Sequence, residues 1–159
     1  MTVSTTRASY PRAVGPPGSR TVRPQHRGYG GRYPPEEAAM ARRLVVKVTC
    51  GTEAPERLSQ ALTVAATAVA SGVQTSLWLT GDAVWLGVAG RVPTLDLEHA
   101  TPIADLVDAV LGGGQVTVCT QCAERRGITA DQLAPGARIA GAATFLQESL
   151  ADDAQALVY

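Results

Sequence analysis

The feature that most constrains the fold is a regular alternation of short apolar runs with longer stretches of helical periodicity. Residues 44–49 form a short run rich in β-branched side chains, which is typical of a buried parallel strand. Residues 55–70 are rich in Ala and Leu, begin with proline at a position that the first helical turn accepts, and precede a Ser-Gly pair that ends a helix. Strands and helices that alternate at this spacing predict a parallel sheet with helices on both faces.

The alternation continues to the end of the chain. We predict further strands at residues 73–79, 115–119, 137–140 and 156–159, and further helices at residues 82–88, 101–111, 123–126 and 144–150. The sequence therefore predicts a single Rossmann-like or flavodoxin-like α/β domain with a mostly parallel sheet. The flavodoxin-like strand order 2-1-3-4-5 is the simplest arrangement that fits this pattern.

Length and composition exclude several classes of protein. A chain of 159 residues has room for one ordinary domain, and 45% hydrophobic content is enough to form its core. No run approaches the roughly 18 consecutive apolar residues of a transmembrane helix, so we expect no membrane partner. Three cysteines are too few for a disulfide scaffold in a chain of this length.

The formal net charge of zero is an average over two unlike parts. The first 43 residues carry a net charge of +6, and the rest of the chain carries −6. Residues 1–39 hold most of the prolines and neither Leu nor Ile, so we predict a disordered tail there and an α/β domain over residues 40–159. Since Met40 directly precedes the first strand, we expect it to be the true start. The alternatives are an inert tail, an RNA-binding tail and a transit peptide.

The cysteines follow predicted strands. Cys50 comes after the first strand, Cys119 ends the third, and Cys122 lies three residues further on. Doubly wound sheets bind ligands outside the carboxyl ends of their strands, at the topological switch point. In the order 2-1-3-4-5, the first and third strands flank that point, so we expect Cys50 and Cys119 to lie beside the same crevice.

Cys119 has the surroundings of a reactive cysteine. It precedes a predicted helix, whose backbone N–H groups and dipole stabilise a thiolate. Arg125 and Arg126 add positive charge in the same segment. Because the thiolate is the nucleophile in sulfur chemistry, Cys119 and Cys122 are the candidate catalytic residues, and Cys50, Arg125 and Arg126 are candidates for binding or thiolate support.

Other interpretations of these cysteines remain open. A free cysteine often behaves as a small buried hydrophobe, which is the simplest interpretation of Cys50. Cys119 and Cys122 have the spacing of half a zinc site or of a thioredoxin-like redox pair. No second Cys-x-x-Cys pair is present and the histidines are distant in sequence, so we predict no metal site.

Several other residues have ordinary structural interpretations. We interpret His99 as a solvated loop residue, and Trp78 and Trp85 as packing the core or a subunit contact. Gly112–Gly114 precede a strand rather than a helix, so they do not form a phosphate loop. No G-x-G-x-x-G follows the first strand, and we therefore predict no dinucleotide cofactor.

The segment around Cys119 resembles the signature of the DsrE/DsrF-like family. In the TusD-like branch of that family, a cysteine ends a strand and precedes a helix that closes in Arg-Arg-Gly, as Cys119 precedes Arg125, Arg126 and Gly127. The Cys-x-x-Cys form of the motif resembles the YchN-like branch instead. Residues 49–57 and 75–81 are also similar to that family, and the resemblance extends over residues 44–159.

The resemblance implies a Rossmann-like domain that assembles into trimers or hexamers and carries sulfur as a cysteine persulfide. On this basis we expect a cytoplasmic sulfur carrier or sulfurtransferase-like protein without a cofactor, in which Cys119 accepts sulfane sulfur and Cys122 is a resolving or second carrier thiol. The expected partners are copies of the chain and proteins that donate and accept sulfur, with no nucleic acid. The alternatives are a non-catalytic oligomeric binding module and a thiol-redox protein that uses Cys119 and Cys122.

Overall fold

The computed structural model describes residues 43–159 of the chain. The predictions for the tail at residues 1–39 and for Met40 as the start lie outside the described residues. Within the described range, the strands are β1 Arg43–Val48, β2 Thr75–Leu79, β3 Gln115–Cys119, β4 Ala137–Ala140 and β5 Ala154–Val158. The α-helices are α1 Pro55–Ala70, α2 Ile103–Gly113, α3 Thr120–Arg125 and α4 Ala142–Ser149, and Gly81–Gly87 and Ala130–Gln132 are 3-10 helices.

These elements agree in type and order with those predicted, and the differences lie at their ends. The second strand begins at Thr75 because the backbone N–H of Val73 donates to the carbonyl of Ala68 and so belongs to the end of α1. The helix predicted at residues 82–88 is the 3-10 helix Gly81–Gly87. No helix within residues 43–159 has the length and apolar character needed to span a membrane.

All five strands are parallel, and their order is β4-β3-β2-β1-β5. This confirms the predicted α/β class, but the predicted order 2-1-3-4-5 is wrong. β1 lies between β2 and β5, with Val45 opposite both Ser76 and Ala156. The first and third strands are therefore separated by β2, and they do not flank a common switch point.

The strand order determines which face each helix covers. The chain moves in one direction through β1, β2, β3 and β4, and then returns across the sheet to β5 beside β1. Because crossovers between parallel strands are right-handed, helices on the outward path lie on one face and the helix of the return path lies on the other. α1, α2 and α3 accordingly share one face, and α4 packs on the opposite face.

The main hydrophobic core lies under α1 and α2. Alternate strand residues, among them Val46, Leu77 and Val118, are fully buried there against Leu62 of α1 and Val110 of α2. Burying a side chain of this size stabilises the fold by about 1.5–3 kcal/mol. This face therefore supplies most of the stability and fixes the positions of the strand ends.

The opposite face is smaller and more polar. Lys47 of β1, Trp78 of β2 and Thr117 of β3 lie in one row across the sheet on this face. Phe145 of α4 packs edge-on against Trp78, with ring centroids 5.4 Å apart and an interplanar angle of 74°. α4 packs on this face, and the site described below lies at the amino-terminal end of α4.

Candidate functional site

The carboxyl ends of β3 and β4 are neighbours, and the chain leaves them toward opposite faces of the sheet. β3 runs directly into α3, whereas Gly141 leads from β4 into α4. Adjacent strands whose connections diverge in this way leave a crevice, which is where parallel α/β sheets bind ligands. A cavity of ≈ 310 Å³ lies here, lined by residues that include Lys47, Trp78, Cys119, Thr120, Gly141 and Phe145.

Cys119 brings a nucleophile to this cavity. Val116 and Val118 are fully buried in the main core, and because side chains alternate along a strand, Cys119 faces the α4 side. Its thiol is free and half-buried, and it stands at the N-cap of α3 without making a capping hydrogen bond. The Cys119 sulfur is therefore uncommitted in the residues described and lines a cavity large enough for a small ligand.

The cavity wall combines two aromatic rings with one cation. Trp78 is 1% exposed and its ring makes a T-shaped contact with that of Phe145, which gives the cavity an apolar side. The ammonium nitrogen of Lys47 lies 4.5 Å from the centroid of the Phe145 ring, within the range of a cation–π contact. Lys47 was not among the predicted site residues, although a charged residue between the apolar Val46 and Val48 is a visible signal in the sequence.

Glu148 of α4 holds the aromatic wall in place. Its carboxylate accepts hydrogen bonds from Ser76 Oγ at 2.6 Å, Trp78 Nε1 at 2.7 Å and Arg138 Nη2 at 2.6 Å. Arg138 Nε also donates to Thr117 Oγ1 at 3.1 Å. This network ties α4 to three neighbouring strands and was not predicted, because its members are distant in sequence.

Cys122 has a different environment from Cys119. Its sulfur accepts a hydrogen bond from the backbone N–H of Gly81 at 3.3 Å, and its side chain packs against the main core. Cys122 is not among the residues that line the Cys119 cavity. The two cysteines therefore lie close together in the chain, but their thiols contact different residues.

The two arginines that follow also differ. Arg126 donates from Nε and Nη2 to Asp82 at 3.1 and 2.6 Å, and from Nη1 to the carbonyl of Cys122 at 3.2 Å. It thereby links α3 to the 3-10 helix Gly81–Gly87. Arg125 is exposed at the end of α3. Neither arginine lines the Cys119 cavity, and their predicted support of a thiolate stays a prediction.

Cys50 lies in the main core at 3% exposure, beside the residues of β1 that face α1. Burial raises the pKa of its thiol above the ordinary value, an effect that the nearby charge of Arg57 offsets in part and that of Glu53 reinforces. The structure does not bring Cys50 to the cavity that Cys119 lines. The expectation of a shared crevice depended on the strand order 2-1-3-4-5, which is wrong.

A second cavity, of ≈ 350 Å³, lies on the α1 side and is lined by residues that include Gly51, Asp82, Trp85 and Arg91. The Arg91 guanidinium lies 4.5 Å from the centroid of the Trp85 ring. This cavity has no cysteine in its lining. It is therefore a weaker candidate for sulfur chemistry than the cavity at Cys119.

The tryptophans and His99, which we interpreted as structural residues, have the following positions. Trp78 is buried in the sheet and Trp85 is half-buried. His99 is exposed, with φ +62° and a contact of 3.3 Å to Glu98. Among residues 43–159, no three or more His, Cys, Asp or Glu side chains are grouped where they could hold a metal ion.

Fold and site together define a class: a small all-parallel α/β domain with a free cysteine in a cavity where the strand connections diverge. The family model described as the DsrE/DsrF-like family matches residues 42–157. The chain therefore belongs to the DsrE/DsrF-like family, which confirms the resemblance seen around Cys119.

Solved structures are similar to the chain in fold. The YchN protein from E. coli is 22% identical, with a TM-score of 0.62, and the match covers 74% of this chain and 99% of that one. MTH1491 from Methanobacterium thermoautotrophicum, described as a protein of unknown function, is 14% identical with a TM-score of 0.56 and covers the same shares. No curated protein matches the sequence. At these identities, the structural similarity establishes the fold alone.

Proposed function

We propose that the protein is a cytoplasmic sulfur carrier, in which Cys119 accepts sulfane sulfur and holds it as a persulfide. The observation that carries the proposal is the free Cys119 thiol in the lining of the ≈ 310 Å³ cavity. Membership of the DsrE/DsrF-like family supports it. The cytoplasm is the expected compartment because reducing conditions there keep thiols free.

The transfer step needs no external oxidant or reductant. The Cys119 thiolate attacks the outer sulfur of a donor persulfide, and a new S–S bond forms on Cys119 as the donor's own S–S bond breaks. The electron pair leaves with the donor sulfur as a thiolate. The cavity limits access of water and other thiols to the product, and its aromatic wall surrounds a polarisable sulfur chain with rings that contact sulfur favourably.

In this proposal the other residues have supporting roles. Cys122, three residues from Cys119, is a second carrier thiol: its thiolate takes the outer sulfur of the Cys119 persulfide as the S–S bond on Cys119 breaks, and Cys119 leaves as a thiolate. This transfer requires movement of α3, because the Cys122 sulfur now bonds to the N–H of Gly81. Arg125 is exposed and would dock an acidic partner. Arg126 would act through its bonds to Asp82, which hold the segment that carries both cysteines.

The test is loading with a cysteine desulfurase and cysteine, followed by cyanolysis to quantify sulfane sulfur. We expect wild-type protein to load and Cys119→Ser to lose the signal. Cys50→Ser is the matched control, since Cys50 lies in the core, and it should load as wild type does. Equal loading of Cys119→Ser would refute the carrier function, as would the absence of loading on wild type from both this donor and inorganic polysulfide.

The cavity also favours one alternative, a module that binds a small ligand without catalysis. Its wall of two aromatic rings and one cation has the composition of a ligand site, and its volume is at the lower end of such sites. In that case Cys119→Ser would retain the in vivo role. The thiol-redox alternative is less favoured, because Cys119 and Cys122 have different neighbours.

We further propose that the chain forms a homo-oligomer, a trimer or hexamer. Leu146 of α4 and Leu150, which directly follows the last residue of α4, are 55% and 71% exposed, and Val158 on the edge strand β5 is 64% exposed. Burial of these large apolar side chains at a subunit contact would remove them from water. Light scattering should give a mass above that of one chain, and Leu150→Asp should lower it.

A further inference from the structure

Lys47 is a charged residue in a position that otherwise favours apolar side chains. Its neighbours on β1, Val46 and Val48, are fully buried on one face, and Val45 is fully buried on the face that Lys47 shares. Among residues 43–159, no carboxylate lies within salt-bridge distance of Lys47. Its ammonium group contacts the Phe145 ring instead. The Lys47 ammonium group is thus free to meet an anion that enters the cavity.

The cation and the nucleophile line the same cavity from different strands. Lys47 is paired with Trp78, and Trp78 with Thr117, which lies two residues before Cys119 on the same side of β3. Two strand spacings of about 4.8 Å separate the Lys47 and Thr117 backbones, on the order of 10 Å. Lys47 and Cys119 therefore line the cavity from two different strands, and Trp78 and Phe145 line it as well.

We propose that the Cys119 cavity takes its sulfur from a small anionic persulfide or polysulfide, and that Lys47 selects this class of donor. The proposal rests on the carrier function of Cys119. A chain of a few sulfur atoms, with S–S bonds of about 2.05 Å, has the length to extend from Cys119 toward Lys47. Its polarisable body suits the aromatic wall, and its negative charge suits the ammonium group.

The proposed step is balanced without a further reagent. The Cys119 thiolate attacks a sulfur atom of the polysulfide dianion, an S–S bond forms on Cys119, and one S–S bond of the donor breaks. A polysulfide shorter by one sulfur leaves with the electron pair. The total charge is the same on both sides, and Lys47 compensates the repulsion between the anionic donor and the thiolate.

A pair of alkylating reagents of nearly equal size tests the cation separately from sulfur transfer. Iodoacetate is an anion and iodoacetamide is neutral, so the ratio of their rates at Cys119, resolved by peptide mass, reports attraction of anions into the cavity. We expect Lys47→Gln to lower this ratio about tenfold, the size of effect expected of one charge in a partly solvated site, and Lys47→Arg to restore it. Arg91→Gln, which removes a charge from the second cavity, should leave the ratio unchanged.

Thiosulfate protection provides a test on wild-type protein that does not depend on the folding of a variant. As a small dianion of sulfur, thiosulfate should slow alkylation of Cys119 by iodoacetamide in a saturable manner. Unchanged iodoacetate-to-iodoacetamide ratios in Lys47→Gln, or no protection by thiosulfate, would overturn the role of Lys47.

Loading kinetics then test the donor class. With inorganic polysulfide as the probe, Lys47→Gln should raise the half-saturating concentration about tenfold with little change in the maximal rate, since the charge acts in binding. Polysulfide loading that does not depend on Lys47, or faster loading from a persulfidated cysteine desulfurase, would overturn the inference while the carrier function stands. If neither donor loads Cys119, the carrier function fails and the inference fails with it.

Discussion

Removal of the Glu148 carboxylate is the perturbation whose effect the structure specifies most closely. Glu148 side-chain exposure is 15%, and its two oxygens accept hydrogen bonds from Ser76, Trp78 and Arg138 at 2.6 to 2.7 Å. In Glu148→Ala, two donors that are almost fully buried lose their acceptor. Ser76 is 6% exposed and Trp78 is 1% exposed, so water does not readily replace the lost carboxylate as their hydrogen-bond acceptor.

The expected cost follows from these contacts. An unsatisfied buried donor costs about 1–3 kcal/mol, and the pair with Arg138, which is 44% exposed, contributes less than about 1 kcal/mol. Glu148→Ala should therefore lower the free energy of unfolding by about 3 kcal/mol. Glu148→Gln retains an acceptor for Ser76 and Trp78 but loses the charge that Arg138 meets, so it should cost about half as much.

Urea denaturation followed by tryptophan fluorescence measures both variants. With a slope near 2 kcal/mol/M, Glu148→Ala should lower the midpoint by about 1.5 M. The control is Glu98→Ala, whose exposed carboxylate contacts only His99 and whose change should stay within about 0.5 kcal/mol. A loss below about 1 kcal/mol for Glu148→Ala would refute the idea that this carboxylate holds the cavity wall.

Two further predictions concern the segments that position the cysteines. Gly81 has φ +58°, and a Cβ there would lie 2.5 Å from the carbonyl oxygen of Thr49, whereas Gly90 has φ +67° and open space around it. Gly81→Ala should therefore lower the free energy of unfolding, measured by urea denaturation, by at least about 1 kcal/mol more than Gly90→Ala. Equal costs would contradict this steric reasoning. Above the ordinary Cys50 pKa of 9.0, the unfolded chain releases a thiol proton that the folded chain retains, so the free energy of unfolding should fall as the pH rises, less steeply in Cys50→Ala. An identical slope in both proteins would contradict the raised pKa.

The sequence was sufficient to predict the elements and the edge of the sheet where the site lies. The apolar run before Cys119 and the helix after it are local signals, and a cysteine between them is placed at a strand's carboxyl end whatever the strand order. The DsrE/DsrF-like resemblance depended on the same residues, and the family model confirms it.

The strand order could not be derived from these local signals. β5 carries the same kind of apolar pattern whether it joins the sheet beside β1 or beside β4, so its place depends on how α4 packs across the sheet. The contact of Phe145 with Trp78 and the bonds of Glu148 to the strands hold α4 on the return path. These pairs are about 70 residues apart in sequence, and no local pattern links them.

The dependence on strand order also explains why Lys47 was not predicted at the site and why Cys50 was wrongly predicted there. Lys47 reaches the Cys119 cavity only because β1, β2 and β3 are neighbours in that order, and Cys50 is excluded from it because residues 46, 48 and 50 face the opposite side of the sheet. Because successive residues of a strand face opposite sides of the sheet, a shift of one residue along the strand moves a side chain from the core to the cavity side. The position of Lys47 between Val46 and Val48 is the sequence signal that could have added it to the candidate site.

The most direct test of the central claim is the intact mass of the full chain after incubation with a persulfide donor. The carrier function predicts a gain equal to one sulfur atom on wild-type protein, its reversal by a reducing thiol, and its location on the peptide that contains Cys119. Cys119→Ser should show no gain, whereas Cys50→Ser should gain sulfur as wild type does. A wild-type mass that stays unchanged, or a gain that persists in Cys119→Ser, would contradict the account.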